Sequence, residues 1–214
     1  VIIALVVISF VIGSIPTGLL IAKTRGIDLR KIGSGNIGTT NVLRAMGKEA
    51  ALVTLAGDMA KGVIPVMIAR HFFQDAGSQI VGFGIEKLHF FMSDQQSVIS
   101  GLAGIVAILG HNFSIFLKFK GGKGVATSLG VALAISPYAA LLTATIWLLT
   151  FRHTGYSSLS ALVSFGLLPL SVYLTDNSRE KILTATVIAI LIFIRHKSNI
   201  NRLIQGTEHR MSSK

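Results

Sequence analysis

Apolar residues recur along this chain in runs close to the ~20 residues that a helix needs to cross a hydrocarbon core. The runs cover 1–23, 51–72, 98–117, 125–151, 158–175 and 181–194. With 51% hydrophobic content and a mean hydropathy of +0.68, the chain is too apolar for an ordinary soluble domain. In lipid every backbone N–H and C=O must be satisfied within its own segment, so the runs predict helices and an all-α integral membrane protein. The first run has neither a basic flank nor a cleavage site ahead of it and is expected to be retained as a span. The last, at 14 residues, must tilt or rely on snorkelling flanks.

Loop charge sets the orientation. Arg25, Arg30, Lys31, Arg44 and Lys48 lie within 24–48, against Asp28 alone. The 74–96 segment carries only Lys87, against Asp75, Glu86 and Asp94. The positive-inside rule therefore puts the first loop in the cytoplasm and the second outside, with the amino terminus outside. Parity then returns 111–124, which is again basic, to the cytoplasm.

A single span over the 27 residues of 125–151 would leave Arg152 and the basic segment from Arg195 outside, against the rule. Ser136-Pro137 lies near the middle of that run, and proline ends or kinks helices. Two short helices, 125–135 and 138–151, restore the charge pattern. The expectation is seven transmembrane helices in one polytopic domain over 1–214, with the carboxyl terminus cytoplasmic. One kinked span in place of the two short helices would give six.

The 20 Lys and Arg against 9 Asp and Glu, a net charge of +11, would suggest nucleic acid in a soluble protein. Here they are read as cytoplasmic loops that meet anionic lipid or substrate. No nucleic-acid motif or stacking platform accompanies them, so no nucleic-acid partner is expected. Zero cysteines exclude disulfides and thiolate chemistry. The six histidines show no metal-ligand spacing, so neither a metal nor another cofactor is expected.

Three polar motifs fall on the expected cytoplasmic face. The first runs from Gly33 to Arg44. It contains Gly-x-Gly-x-x-Gly, but no strand precedes it and no βαβ unit follows, so a dinucleotide site is a poor fit. Gly33 and Gly35 allow close backbone approach, while Ser34, Asn36, Thr39, Thr40 and Asn41 supply hydroxyl and amide groups. Arg44 is a planar anion clamp. The bland alternative is a polar loop that caps the next helix.

The second motif runs from His111 to Gly124 and ends in Lys120-Gly121-Gly122-Lys123-Gly124. It is not a Walker A loop, but it directly precedes a helix whose amino end carries free N–H groups and partial positive charge. That combination suits a phosphate. A plain basic flank would need no paired glycines. The third motif is 195–203, followed by Gly206-Thr207-Glu208. On a continued helix His196, Asn199 and Arg202 share a face. His196 is a candidate base, set against the commoner role of a hydrogen-bonding residue at a helix end.

Within the second run, Asp58 and Lys61 are spaced to pair or to line a site. Gly101, Ala103, Gly104 and Ala107 form a small-residue surface for close helix contact.

Five segments in order, at 13–18, 33–41, 57–62, 110–124 and 196–208, resemble the bacterial acyl-phosphate:glycerol-3-phosphate acyltransferases, the PlsY family. The resemblance runs nearly end to end. It implies a bacterial inner-membrane enzyme of phospholipid synthesis, acting as a monomer with its site facing the cytoplasm. Such an enzyme moves a fatty acyl group from acyl phosphate to the sn-1 hydroxyl of glycerol 3-phosphate, giving lysophosphatidic acid and phosphate. The resemblance implies Ser34, Lys123, His196 and Asn199 as catalytic residues. It implies substrate or phosphate contacts for Gly33, Gly35, Asn36, Thr40, Asn41, Arg44, His111, Lys120, Gly121, Gly122, Gly124 and Arg202. The His-x-x-x-x-Asp pair of soluble-type acyltransferases is missing, since Ile115 and Phe116 stand four and five residues after His111. The 74–96 segment is longer than the family leads one to expect. A transporter or channel for an anionic solute would share the basic motifs, but no internal repeat is visible.

Overall fold

The computed structural model describes residues 1–73 and 94–211, and among these the chain is helical with no strand. The helices are α1 (Ile2–Ser14), α2 (Thr17–Thr24), α3 (Thr39–Met46), α4 (Lys48–Phe72), α5 (Gln95–Asn112) and α6 (Val125–Ile135). They continue with α7 (Pro137–Thr154), α8 (Ser157–Gly166), α9 (Leu168–Thr175), α10 (Arg179–Arg195) and α11 (Lys197–Ile204). Most of the unusually long 74–96 segment lies outside the described residues.

The molecule is apolar outside and carries its hydroxyls inside. Val7, Leu52, Met67, Leu148, Leu170 and Ile190 are exposed. Ser9, Thr54, Thr143, Ser171 and Thr184 are buried, and each hydroxyl donates to the carbonyl four residues back along its helix. A hydrocarbon solvent selects this arrangement, because a polar side chain there must find a partner at home. Among the described residues three helical stretches are long and apolar enough to cross a membrane: Ile2–Thr24, Lys48–Phe72 and Gln95–Leu117. Two bent pairs, α8 with α9 at 42° and α10 with α11 at 61°, raise the number to five when each pair is taken as one span.

Three prolines mark breaks in the runs, whereas Pro65 lies inside the continuous α4. The split expected at Ser136-Pro137 is present, with Pro137 in the first turn of α7, where its missing N–H costs nothing. Two runs expected to be continuous are also broken. Pro16 ends α1, with Ile15 in an extended conformation before it. Pro169 cannot donate to the Phe165 carbonyl, and the helix turns at Leu167. The helix expected to continue through His196 is likewise interrupted there by the 61° bend.

α5 is the central post, packed against α1, α4, α6 and α10. Its small residues permit this, as expected for the 101–107 surface. A methyl at Gly101 would strike Thr184 on α10, and one at Gly104 would lie 2.5 Å from Val131 on α6. Ala103 and Ala107 are fully buried, and the Ala107 carbonyl lies directly against Gly13 of α1. α4 and α6 meet the same way, Gly62 against the Thr127 carbonyl and Gly130 against that of Met59. Val66, Ile108, Val131, Phe165, Ile188 and Ile192 fill the core between them. Without a hydrophobic drive between helices in lipid, such close packing must hold the bundle.

Candidate active site

The turn at 32–38 is built around one amide. Gly33 and Gly35 take left-handed φ of 56° and 67°, which curls the chain around Asn41. Asn41 Nδ2 donates to the carbonyls of Leu29 (3.0 Å), Ile32 (3.0 Å) and Asn36 (2.8 Å), and its Oδ1 accepts from Ser34 N at 3.1 Å. Asn41 is therefore spent on holding the turn, as are Gly33 and Gly35, which do not line the cavity. Ser34 and Asn36 do line it, from the rim of that turn. Thr40, on α3, pairs with Ser157 of α8 at 3.0 Å between hydroxyls. Arg44, one turn further along, reaches the carbonyl oxygen of His209 at 3.4 Å.

The glycine segment behaves differently from the expected phosphate cradle. Gly121 N donates to the Asn112 carbonyl at 3.2 Å and Gly122 N to that of His111 at 3.0 Å. Arg195 takes the loop from the other side, its Nη2 2.8 Å from the Gly122 oxygen, while its guanidinium sits 5.0 Å from the Phe113 ring centre. Both glycine N–H groups are thus used inside the protein. Glycine is needed because a methyl at 121 would enter the His111 carbonyl and one at 122 the His111 ring. Lys120 is exposed and outside the cavity. What the loop delivers is Lys123 and, after Gly124 in a left-handed conformation, the amino end of α6. Gly124, Val125 and Ala126 line the cavity, and no preceding turn can satisfy the first N–H groups of that helix.

The bend after α10 brings in the third motif. His196 is buried, with Nδ1 2.8 Å from the Ile192 carbonyl. A carbonyl only accepts, so Nδ1 carries the proton and Nε2 is the nitrogen left for other work. Asn199 bridges two charges: its Oδ1 accepts from Lys123 Nζ at 2.5 Å and its Nδ2 donates to Glu208 Oε1 at 2.6 Å. Glu208 also accepts from Ser158 Oγ at 2.8 Å and from Arg202 Nε at 2.7 Å. Arg202 therefore faces Glu208 and does not line the cavity. Asn199 and Arg202 are brought together on α11, whereas His196 stands at the bend above them.

The result is a cavity of about 270 Å³ with two characters. Ser34, Asn36, Arg44, Lys123, His196, Asn199 and Glu208 make one side polar, and His111 and Asp58 also reach its wall. Leu55, Leu129, Ala144, Trp147 and Phe165 make the other side apolar. Burial lowers the Lys123 ammonium to about 8, partly countered by Glu208 and reinforced by Arg202, Arg195 and Arg44. Burial likewise draws Arg44 below its usual value, with Glu208 opposing. The Glu208 carboxyl is pushed up by burial, but bonds from Asn199, Arg202 and Ser158 hold it below the usual range. Cations held short of water beside an apolar trough suit an amphiphile with an anionic head.

Glu208, Ser158 and Arg195 are not among the expected site residues, whereas Asp58, spaced to pair or to line a site, does both. A lone acid after a basic helical stretch was the signal for Glu208. Arg195 gave no signal of its own, because its ligands are backbone carbonyls.

The sequence profile of the glycerol-3-phosphate acyltransferases matches residues 3–206. A glycerol-3-phosphate acyltransferase of Geotalea daltonii is 40% identical over 207 residues, covering 97% of this chain and 96% of that protein. Two crystal structures of PlsY, an integral membrane glycerol 3-phosphate acyltransferase, superpose with similar quality. The glycerol 3-phosphate form gives a TM-score of 0.83 at 38% identity, covering 99% of this chain and 96% of that one. The lysophosphatidic acid form gives 0.82 at 37% identity, covering 99% and 95%. A helical, multi-pass bacterial membrane protein whose cavity sets a basic side against an apolar one, the chain belongs to the glycerol-3-phosphate acyltransferase family.

Proposed function

We propose that this enzyme uses acyl phosphate as its donor and acylates the sn-1 hydroxyl of glycerol 3-phosphate. Lysophosphatidic acid and inorganic phosphate are the products, and the protein works as a monomer in the bacterial inner membrane. The observation that carries this reading is the Lys123–Asn199–Glu208 chain, flanked by Arg44 and set against an apolar wall in one cavity. Both substrates are phosphates, and one of them has a fatty tail.

Lys123 and Arg44 bind phosphate oxygens, aided by the first N–H groups of α6. The acyl chain lies along Leu129, Ala144, Trp147 and Phe165. The glycerol hydroxyl oxygen attacks the acyl carbonyl carbon, a C–O bond forms, and the C–O bond to phosphate breaks. An acyl phosphate is already activated, so no covalent enzyme intermediate is required. The hydroxyl proton passes to an oxygen of the departing phosphate. His196, through Nε2, and Ser34 orient glycerol 3-phosphate. Lys123 and Arg44 stabilise the charge that grows on the leaving group, a contribution of about 100-fold or more in rate per donor lost.

The whole chain forms one domain with seven membrane-spanning helices, α6 and α7 being the short ones. The amino terminus lies outside, and the carboxyl terminus and the cavity mouth face the cytoplasm. Purified protein is supplied with labelled glycerol 3-phosphate and, separately, hexadecanoyl phosphate, hexadecanoyl-CoA or acyl carrier protein thioester. Product and released phosphate with the acyl phosphate alone is the expected outcome. Turnover with a thioester and none with acyl phosphate would refute the donor assignment.

A further inference from the structure

Behind the glycine loop lies a buried group that the acyl-transfer scheme does not use. Asp58 and Lys61 of α4 and His111 of α5 are 2%, 4% and 5% exposed. Lys61 Nζ lies 2.6 Å from Asp58 Oδ1, a charge contact, and donates to the Ile15 carbonyl at 2.8 Å. The third neighbour of that ammonium is His111 Nδ1, at 3.1 Å. An ammonium has no lone pair, so Nδ1 must accept and the ring proton sits on Nε2. Ile15 stands in the α1–α2 break before Pro16, and its carbonyl also accepts from Thr17 N at 3.0 Å. One side chain thus ties together the α1–α2 break, α4 and the end of α5.

His111 in turn supports the loop. Gly122 has room for hydrogen alone above the His111 Nε2 atom, and the Gly122 N–H donates to the His111 carbonyl at 3.0 Å. Ring and carbonyl of the same residue therefore set the height of Gly122, and the next residue is Lys123. We propose that Lys61, balanced by Asp58, is a positioning residue for the acyl-transfer site: it locks the His111 ring beneath Gly122 and so fixes where Lys123 presents its ammonium. The inference rests on Lys123 contacting a substrate phosphate.

The groups that face Lys123 are Glu208, Arg202, Arg195, Arg44 and His196, together with the Asn199 amide. A loop freed from its prop lets Lys123 take up water, which relieves the burial that lowers its proton affinity to about 8. A role in folding alone would reduce the amount of active enzyme and leave that proton affinity unchanged. The pH profile therefore separates the two.

The test uses the full chain in lipid, with hexadecanoyl phosphate and glycerol 3-phosphate, recording kcat, KM and the pH dependence of kcat/KM. The double variant Asp58→Asn, Lys61→Met removes the bonds without leaving a buried charge unpaired. Lys61→Arg keeps the charge balance and alters only the donor geometry, so it decides the matter when the double variant does not fold. Both are expected to lower kcat/KM about 10-fold or more, through a raised KM for the phosphate substrate. Both should also move the basic limb of the profile upward by about half a pH unit or more. A limb at the wild-type position, with activity lost only in proportion to folded protein, would overturn the proposal. If wild-type enzyme makes product only from another donor, the donor assignment fails and the variants are compared with that donor.

Discussion

At the residue scale the proposed chemistry rests on Lys123. Its ammonium loses its proton near pH 8, well below an ordinary lysine, because the fold disfavours the charged form. In the proposed scheme phosphate binding needs that charge, so kcat/KM in the free enzyme should fall about tenfold per unit as pH rises past about 8, which a pH–rate profile measures. Lys123→Ala and Arg44→Ala should each lower activity about 100-fold or more. Lys123→Arg should weaken turnover but abolish the basic limb, since a guanidinium stays charged to above about pH 12. A limb unchanged in Lys123→Arg would mean that some other group titrates there. Much at this scale was legible beforehand. Lys123, His196 and Asn199 stand out as polar residues between apolar runs, and the structure gathers them around one cavity. Gly121 and Gly122 differ from the expectation: the motif suggests N–H groups offered to a phosphate, whereas those donors serve the carbonyls of Asn112 and His111. A pattern of residue types does not reveal which partner a backbone donor chooses.

At the scale of elements, the sites where helices touch matter more than their propensities. Gly62 of α4 lies directly beneath the Thr127 carbonyl of α6, and α6 carries Gly124 and the cavity wall. Gly62→Ala must push α6 away, an overpacking cost of about 1–3 kcal/mol. In a chain of this size that lowers Tm by roughly 2–10 °C. Thermal unfolding in detergent measures it, and activity should fall further than the folded fraction, because the amino end of α6 moves with the contact. Unchanged Tm would show that the interface yields without cost. Pro137 could be read as a breaker because charge parity demanded a break. Pro16 and Pro169 were equally visible, but no charge marked their runs for division, and high apolarity concealed the breaks. The bend at His196 had no proline to announce it.

At the scale of the whole molecule, an apolar exterior, hydroxyls such as those of Ser9, Thr54 and Thr143 bonded within their own helices, and glycine-lined contacts make a bundle suited to lipid. Its direction in the membrane can be tested cleanly, because the sequence contains no cysteine. Single cysteines at Lys120 and at Glu86, in intact spheroplasts, should react oppositely with a membrane-impermeant maleimide. Glu86→Cys should label at once and Lys120→Cys only after lysis. The reverse pattern would invert the topology. The membrane class and the run boundaries followed from hydropathy. The cavity did not, because it depends on three segments far apart in sequence meeting across helices.

The anchoring of Glu208 has a consequence for how such an enzyme is made. Glu208 orders Asn199, Arg202 and Ser158 together, and Met211 N closes on the Gly155 carbonyl at 2.9 Å. Synthesis proceeds from the amino end, so Ser34 and Arg44 are in place long before the residue that orders their counterparts has been translated. A chain still being inserted can hold the apolar trough and the lysine loop, but not the hydrogen-bonded chain from Lys123 to Glu208. On the proposed scheme, acyl transfer then has to await the chain through residue 208, and a truncation before Glu208 should be inactive in the acyl-transfer assay.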